Sequence, residues 1–147
     1  MTTLIEYDAA YLNECVRVFV RTFRAEPFGY GWLTEDAAGR YFAGIARYPG
    51  FLGYILLEDG AAAGACLGHV DDYFQGAVYE IKEIFLAPEA QNRGLGAKFM
   101  SGIEKDLTKR DVSCITLLTQ RELKAHGFYL RLGYAESTGA ALMVKSL

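Results

Sequence analysis

The sequence predicts an α+β fold in which helices cover a mixed β-sheet. Stretches with the two-residue period of strands alternate with stretches of helical period along all 147 residues. The dipeptide Asp59-Gly60 lies between two apolar runs and is typical of a tight β-hairpin. A strand–helix–strand succession in the second half indicates one pair of parallel strands. The element order therefore predicts a single domain over residues 1–147, with six to seven strands and about four helices.

The first half is predicted to contain two helices and then antiparallel strands. Asp8 can cap a helix over about Ala9–Arg24, in which apolar residues recur at helical spacing. Thr34 can cap a second helix, and the acidic residues that follow it favour the positive end of the helix dipole; this helix fades before Pro49. The predicted strands of this half are Thr3–Tyr7, Phe51–Glu58, Ala61–Val70 and, after a loop that holds Asp71, Asp72 and Gly76, Tyr79–Leu86.

The second half is predicted to continue with a helix over about Gly94–Lys109. Leu95, Phe99, Ile103 and Leu107 form an apolar stripe on it, which indicates that one face packs on the sheet. The remaining predicted elements are a strand over Ser113–Thr119, a helix over Glu122–Leu132 that Gly133 stops, and a final strand pair, Tyr134–Ser137 and Leu142–Leu147.

Composition excludes several classes of protein. With 52% hydrophobic residues, 22% charged residues and three prolines, the chain is neither disordered nor collagen-like. The three cysteines cannot all pair and lie beside apolar residues, which favours buried, reduced thiols in a cytoplasmic protein. The longest apolar stretch, Phe51–Leu57, is too short to span a bilayer, and the N-terminus lacks the pattern of a signal peptide. A net charge of −3 argues against general binding of nucleic acid.

A glycine-containing turn between a strand and a helix is the most informative segment. Backbone N–H groups at such a helix start point outward together, and the helix dipole adds positive potential, so the turn can cradle a phosphate. A dinucleotide fingerprint needs a third glycine where Phe99 stands, and a P-loop needs a Gly-Lys-Ser/Thr run that the chain lacks. The turn is therefore a phosphate site of another kind, or a turn that happens to contain two glycines.

Two motifs resemble those of the GNAT N-acetyltransferase superfamily. Gln91-Asn92-Arg93-Gly94-Leu95-Gly96 resembles the family's Q/R-x-x-G-x-G/A signature for acyl-CoA. Phe128-Tyr129-Leu130-Arg131-Leu132-Gly133-Tyr134 is similar to its F-Y-x-x-x-G-F/Y segment. The N-terminal half loosely resembles members near the aminoglycoside 6′-N-acetyltransferases. The resemblance implies the GNAT fold, with splayed strands that hold CoA, and an acetyl-CoA-dependent N-acetyltransferase.

The resemblance also implies where the cosubstrate binds. The backbone of Phe85, Leu86 and Ala87 is expected to pair with the pantetheine arm like an extra strand, and the Leu86 amide is expected to polarise the thioester carbonyl. The pyrophosphate is expected on the turn and first helical residues, with side chains that reach the remaining phosphates. The residues expected to bind acetyl-CoA beyond the strand are Gln91, Asn92, Arg93, Gly94, Leu95, Gly96, Ala97 and Lys98, with Lys124 as a further candidate.

Glu83 is the candidate general base. On a regular strand it shares a face with Ile81 and Phe85, and desolvation there raises the pKa of a carboxyl group towards a useful value. It also matches the acidic residue that many relatives carry in this strand. Glu80 is the alternative, although we expect an ion pair with Lys82. A surface carboxylate with no role in the chemistry is the other interpretation of Glu83.

Tyr129 resembles the family tyrosine that protonates the departing CoA thiolate, and its phenol stays protonated near neutral pH. The alternative is an aromatic core residue beside Phe128. Cys114 as a covalent acyl carrier is chemically feasible, but no histidine lies near it in sequence. His69 and His126 lack a partner at metal-ligand spacing, so we expect direct transfer in a ternary complex without a metal.

Charge is distributed unevenly in a way that suits an anionic cosubstrate and a cationic acceptor. Residues 1–86 carry twelve acidic and six basic side chains, and residues 87–147 carry six acidic and nine basic ones. We expect the acceptor, a small molecule with a primary amine, on the acidic half. The residues expected to bind it are Phe28, Tyr30, Trp32, Asp71 and Asp72. Acetylation of a protein lysine or N-terminus and a non-catalytic acetyl-CoA sensor remain alternatives, and edge strands leave a homodimer open.

Overall fold

Five strands form one mixed sheet, and their order in space is the same as their order along the chain. The computed structural model describes residues 1–147, which divide into two units, Met1–Leu117 and Leu118–Leu147. The first unit contains β1 (Thr2–Glu6), α1 (Leu12–Arg24), α2 (Glu35–Ala46), β2 (Phe51–Glu58), β3 (Ala61–Tyr73), β4 (Gly76–Leu86), α3 (Leu95–Lys109) and β5 (Val112–Leu117), and the second unit contains α4 (Lys124–Arg131).

The pairing pattern confirms the predicted fold class. The strands β1 to β4 pair with one another in antiparallel fashion. β5 pairs with β4 in parallel and follows it through α3. Asp59 and Gly60 both have positive φ, 50° and 86°, as a two-residue hairpin turn requires. Thr34 caps α2 by accepting a hydrogen bond from the backbone of Ala37 at 3.1 Å, as predicted. No helix combines the length and the apolar character needed to cross a membrane.

The second hairpin is longer than predicted. β3 continues to Tyr73 and β4 begins at Gly76, so Asp71 and Asp72 lie on a strand and not in a loop. Gly76 makes the tight turn possible, since it has φ 130° and a Cβ there would lie 2.8 Å from the Ser113 hydroxyl. The polar composition of the segment hid the strand, because both aspartates pair with residues of β4 through backbone groups alone.

The final predicted strand pair is wrong. Tyr134–Ser137 and Leu142–Leu147 lie in no strand, so the sheet has five strands and not six to seven. Residues 135–147 are all exposed. Strands are stabilised by a buried face, and this segment buries no side chain along its length.

Helices cover both faces of the sheet in the first unit. On one face, Phe19 of α1 and Phe42 of α2 pack on Phe85 of β4, with ring centroids 5.2 and 6.0 Å away. On the other face, the hydroxyl of Tyr54 donates to Asp106 of α3 at 2.8 Å. The side chain of Tyr79 is fully buried and donates to the Leu52 carbonyl at 2.7 Å. Both faces are therefore packed where the middle of β4 passes between them.

Candidate active site

A β-bulge in β4 sets the direction of Glu83. Along the β3–β4 ladder Gly68 lies opposite Ile81 and Leu67 lies opposite Glu83, so Lys82 is an extra residue. Residues directly opposite each other share a face of the sheet. The bulge therefore places Glu83 on the face of Phe85 and Glu80, and leaves Ile81 on the other face. Phe85 lies on the face of Glu83, as predicted. The predictions that Ile81 lies on this face and Glu80 on the other are wrong, because a bulge shifts the two-residue period of the strand by one residue.

Glu83 lies beneath α2 in a setting that changes its acidity. The Tyr41 hydroxyl donates a hydrogen bond to Glu83 Oε2 at 2.9 Å. Burial raises the pKa of the Glu83 carboxyl to about 7, and the hydrogen bond from Tyr41 opposes this effect. A carboxyl group with a pKa near 7 is half ionised at neutral pH and is suited to accept a proton and release it.

The carboxylate of Glu80 lies close to a lysine and a histidine. Lys82 Nζ and His69 Nε2 each lie 3.4 Å from a carboxylate oxygen of Glu80, which confirms the expected ion pair with Lys82. The other ring nitrogen of His69, Nδ1, lies 3.2 Å from Asp71. Sequence spacing does not predict this cluster, because Glu80 joins His69 and Asp71 only across the hairpin, in the β3–β4 register.

The cluster of His69, Asp71 and Glu80 has potential metal ligands within 4.8 Å of one another. The two carboxylates, however, face different nitrogens of the ring. A metal ion binds the lone pair of one imidazole nitrogen, with its other ligands gathered around that point. The arrangement therefore favours separate contacts of each carboxylate with the His69 ring over one cation site.

The turn before α3 has the backbone geometry of an anion cradle. Asn92 and Gly94 have positive φ, 58° and 75°, and Gly94 is the N-cap of the 15-residue helix, with no side chain that caps it. The first intrahelical bond is donated by the Lys98 amide to the Gly94 carbonyl at 3.3 Å. The amides that precede it, those of Leu95, Gly96 and Ala97, are the unpaired donors of a helix N-terminus. A Cβ at Gly94 would meet no atom within 4 Å, so the space in front of the turn is open.

The edge of β4 next to this turn is unpaired. The β4–β5 ladder ends where Ile81 lies opposite Leu117, while β4 continues to Leu86. The Ala87 amide donates to Ala63 of β3 at 2.7 Å. Because antiparallel pairs alternate between bonded and non-bonded, the amides of Leu86 and Ile84 point away from β3, towards the unpaired edge.

The outcome for the predicted strand contacts is mixed. Leu86 has the orientation expected of an amide that meets a thioester carbonyl, whereas the amides of Phe85 and Ala87 face β3. The sequence did not predict Ile84 as a residue whose amide faces the unpaired edge. The alternation of hydrogen bonds identifies it once the β3–β4 register is known.

The polar side chains expected at the cosubstrate have partners within the protein. Arg93 lies 3.1 Å from Glu58 and also donates to the Glu89 carbonyl at 3.2 Å. Lys98 donates to the Thr2 hydroxyl, and Gln91 donates to the Leu86 carbonyl at 3.1 Å. These bonds fix the turn, so backbone amides are the groups left to hold an anion there.

The aromatic loop after α1 is an ordered stack. Tyr30 stacks on Phe23 and on Trp32, with centroids 6.2 and 5.3 Å apart, and Phe28 packs against both Phe23 and Tyr30. The indole of Trp32 stays 73% exposed at the end of the stack. The loop therefore presents an apolar surface to solvent.

Asp71 and Asp72 point to opposite faces of the sheet, because they are consecutive residues of β3. Asp71 shares the face of Glu80 and Glu83, and Asp72 lies on the other face. A cleft of about 400 Å³ runs along the Glu83 face of β4 and β5. The residues that line it are Asp71, Tyr73, Phe74, Gln75, Gly76, Val78, Glu80, Ser113, Cys114 and Thr116.

Cys114 differs from its prediction and Tyr129 stays a prediction. Cys15 and Cys66 are buried, but Cys114 is exposed, because β5 is an edge strand with half of its residues on the surface. In the second unit, Tyr129 is buried in α4 with Phe128 and Tyr134 against its ring. Its packing agrees with the aromatic-core interpretation and leaves its catalytic role as an expectation.

Comparisons with known proteins agree with this geometry. The family model described as "Acetyltransferase (GNAT) family" matches residues 15–134. The uncharacterised N-acetyltransferase YhfO of Bacillus subtilis (strain 168) is 30% identical over 63 residues, which span 42% of either chain. The structure of a possible acetyltransferase from Clostridium difficile 630 is similar with a TM-score of 0.81 at 12% identity, over 100% of this chain and 99% of that one.

A further similar structure is that of the aminoglycoside N-acetyltransferase AAC(6′)-Iy in complex with CoA. It has a TM-score of 0.74 at 16% identity, and covers 100% of this chain and 96% of its own. At these identities the likeness concerns the fold, while the family model covers most of the chain. The chain therefore belongs to the GNAT acetyltransferase family.

Proposed function

We propose that this protein transfers the acetyl group of acetyl-CoA to a primary amine of a small cationic molecule. Direct transfer takes place in a ternary complex, with Glu83 as the general base. The observation that carries the proposal is the position of Glu83, a carboxyl group with a pKa of about 7, on the part of β4 whose edge is unpaired. This part of the strand leads directly into the anion cradle of α3.

The cosubstrate is expected to lie along β4 with its pyrophosphate on the cradle. The amides of Leu95, Gly96 and Ala97 would donate to the phosphates, and the helix dipole of α3 favours negative charge at this point. The unpaired edge of β4 would bond the amide groups of the pantetheine arm as another strand does. AAC(6′)-Iy, which has a similar fold, forms a complex with CoA, and this is consistent with such a site.

The reaction follows from the groups at the bulge. Glu83 takes a proton from the bound ammonium, and the neutral amine then attacks the thioester carbonyl carbon. The Leu86 amide would stabilise the oxyanion of the tetrahedral intermediate. When the C–S bond breaks, the thiolate of CoA needs a proton, which we assign to the phenol of Tyr129 on the basis of the family resemblance. The tetrahedral intermediate loses the second amine proton to solvent. Glu83 then releases its proton to solvent and Tyr129 regains one, so the products are the acetylated amine and CoA.

The acceptor is expected on the Glu83 face of the sheet. Asp71 and Glu80 supply negative charge to the cleft there, and the exposed rings of Tyr73 and Phe74 can contact an ammonium group or an apolar chain. The stacked rings of the loop that contains Trp32 add a second apolar surface. The order of this loop favours a small molecule over an extended protein segment.

A thiol-release assay with acetyl-CoA and a panel of monoamines and diamines tests the proposal. Glu83→Gln is expected to lower kcat by about 10²- to 10⁴-fold, because the isosteric amide cannot take up the proton. Glu80→Gln is the comparison, since it removes the alternative carboxylate on the same face. If Glu80→Gln abolishes turnover and Glu83→Gln does not, the assignment of the base is wrong. If the protein binds acetyl-CoA but turns over no amine, the sensor alternative replaces the proposal.

The two adjacent aspartates provide a matched test of the acceptor side. Asp71→Asn and Asp72→Asn remove the same charge from opposite faces of one strand. Asp71→Asn is expected to raise the KM for a cationic amine several-fold more than Asp72→Asn does, with the KM for acetyl-CoA unchanged. Equal effects of the two variants would mean that the carboxylates act through the overall field and not through contact.

A further inference from the structure

α2 is fastened to β4 at two points on the Glu83 face. The ring of Phe42, fully buried, packs on Phe85 with centroids 6.0 Å apart. The neighbouring residue of α2, Tyr41, reaches Glu83 at 2.9 Å. Phe85 and Glu83 lie two residues apart on the same face. The contact between Phe42 and Phe85 therefore holds α2 at a distance from β4 that lets the Tyr41 hydroxyl reach the Glu83 carboxylate.

Tyr41 distinguishes the two oxygens of the Glu83 carboxylate. It is the one side chain that hydrogen-bonds Glu83, and it does so at Oε2. Oε1 accepts no hydrogen bond from the protein. The ring of Tyr41 packs against those of Phe19 and Phe42, each with a centroid 6.2 Å from its own, so aromatic contacts support it on its inner side.

We propose that Tyr41 is the positioning residue of this active site, which holds Glu83 through Oε2 so that Oε1 is the atom that takes the proton of the amine. The inference rests on the proposed role of Glu83. Tyr41 donates to Oε2 before the proton transfer, and the same oxygen can accept this bond when Oε1 carries the proton. The carboxyl group therefore keeps one orientation through the whole cycle.

The hydrogen bond has a consequence that packing alone does not have. A donor to the carboxylate favours its ionised form, so loss of the Tyr41 hydroxyl raises the pH at which Glu83 becomes ionised. The other titratable groups on this face are His69 and Asp71 on β3, Glu80 and Lys82 on β4, and Tyr48 after α2, whereas Cys66 lies on the opposite face of β3. The test leaves all of them in place except Tyr48 in the control.

The test compares the pH dependence of kcat/KM in Tyr41→Phe and Tyr48→Phe. Tyr48 is a suitable control because it is about as exposed as Tyr41, 44% against 42%, but contacts the His69 ring and not Glu83. Tyr41→Phe is expected to move the acidic limb of the profile upward by about one pH unit and to lower kcat/KM about tenfold at pH 6. Tyr48→Phe is expected to leave the limb in place.

A double variant separates this inference from the proposed function. If Tyr41 acts through Glu83, Tyr41→Phe has no further effect on kcat in a Glu83→Gln background. An additional loss in that background, or an unmoved acidic limb in a folded Tyr41→Phe protein, overturns the positioning role while the base assignment stands. If Glu83→Gln itself keeps full activity, the proposed function fails and the inference fails with it. Thermal unfolding of each variant shows that it is folded.

Discussion

The energetic cost of ionising Glu83 gives a prediction about stability. Its pKa rises from an ordinary value of 4.5 to about 7 in the folded protein. The folded state therefore binds more protons than the unfolded state between these pH values, and stability falls as the pH rises through this range. At about 1.4 kcal/mol per unit the full effect is about 3 kcal/mol, which partial exposure to solvent reduces to about 1–3 kcal/mol. Glu83→Gln removes this cost, because its amide stays neutral.

The assay is thermal or urea unfolding of the wild-type protein and Glu83→Gln at pH 5 and at pH 8. At pH 8 the variant is expected to be more stable by about 1–3 kcal/mol, or about 2–4 °C of Tm per kcal/mol for a chain of this size. At pH 5 the difference is expected to shrink, because Glu83 is then protonated in the folded wild-type protein. A difference that is the same at both pH values, or a variant that is less stable at pH 8, refutes the argument that burial displaces this pKa.

Two further predictions concern the cradle and the core. Gly94→Ala is expected to weaken acetyl-CoA binding about tenfold or more, seen as a smaller ligand-induced rise in Tm, because it strains a residue at φ 75° and puts a methyl group in front of the turn. Gly60→Ala, which is equally open at φ 86°, controls for the strain and is expected to leave binding unchanged; equal losses in both variants would mean that strain alone is responsible. Tyr79→Phe is expected to cost about 1 kcal/mol of stability, since it removes the buried hydrogen bond from the phenol to the Leu52 carbonyl, and urea unfolding that shows no loss would contradict this.

Local signals in the sequence sufficed for most of the fold. The hairpin at Asp59-Gly60, the cap at Thr34 and the apolar stripe of α3 depend on neighbours in sequence, and each is present in the structure. The prediction of a last strand pair was wrong because a strand is stabilised by partners that lie far away in the chain. The alternating residues after Gly133 look like strands, yet they pair with nothing in the sheet.

The candidate site could be predicted only in part, because some of its features are local in sequence and others are not. The turn that ends at Gly94 is a local feature, and the structure gives it the predicted geometry of an anion cradle. The face of Glu83 depends on a bulge, and its contact with Tyr41 spans 42 residues of sequence. Sequence periodicity predicts neither the bulge nor this contact, since they come from the register of β3 with β4 and from the packing of α2.

The most direct test of the central claim is to follow the label of [13C]acetyl-CoA into an amine by mass spectrometry, with the wild-type protein and Glu83→Gln at matched concentrations. Transfer of the labelled acetyl group to a cationic primary amine by the wild-type protein, with a rate that falls by about 10²-fold or more in Glu83→Gln, is the predicted result. Labelled product formed at the same rate by both proteins would contradict the assignment of Glu83 as the base. No labelled product with any amine in the panel would contradict the proposed transfer itself.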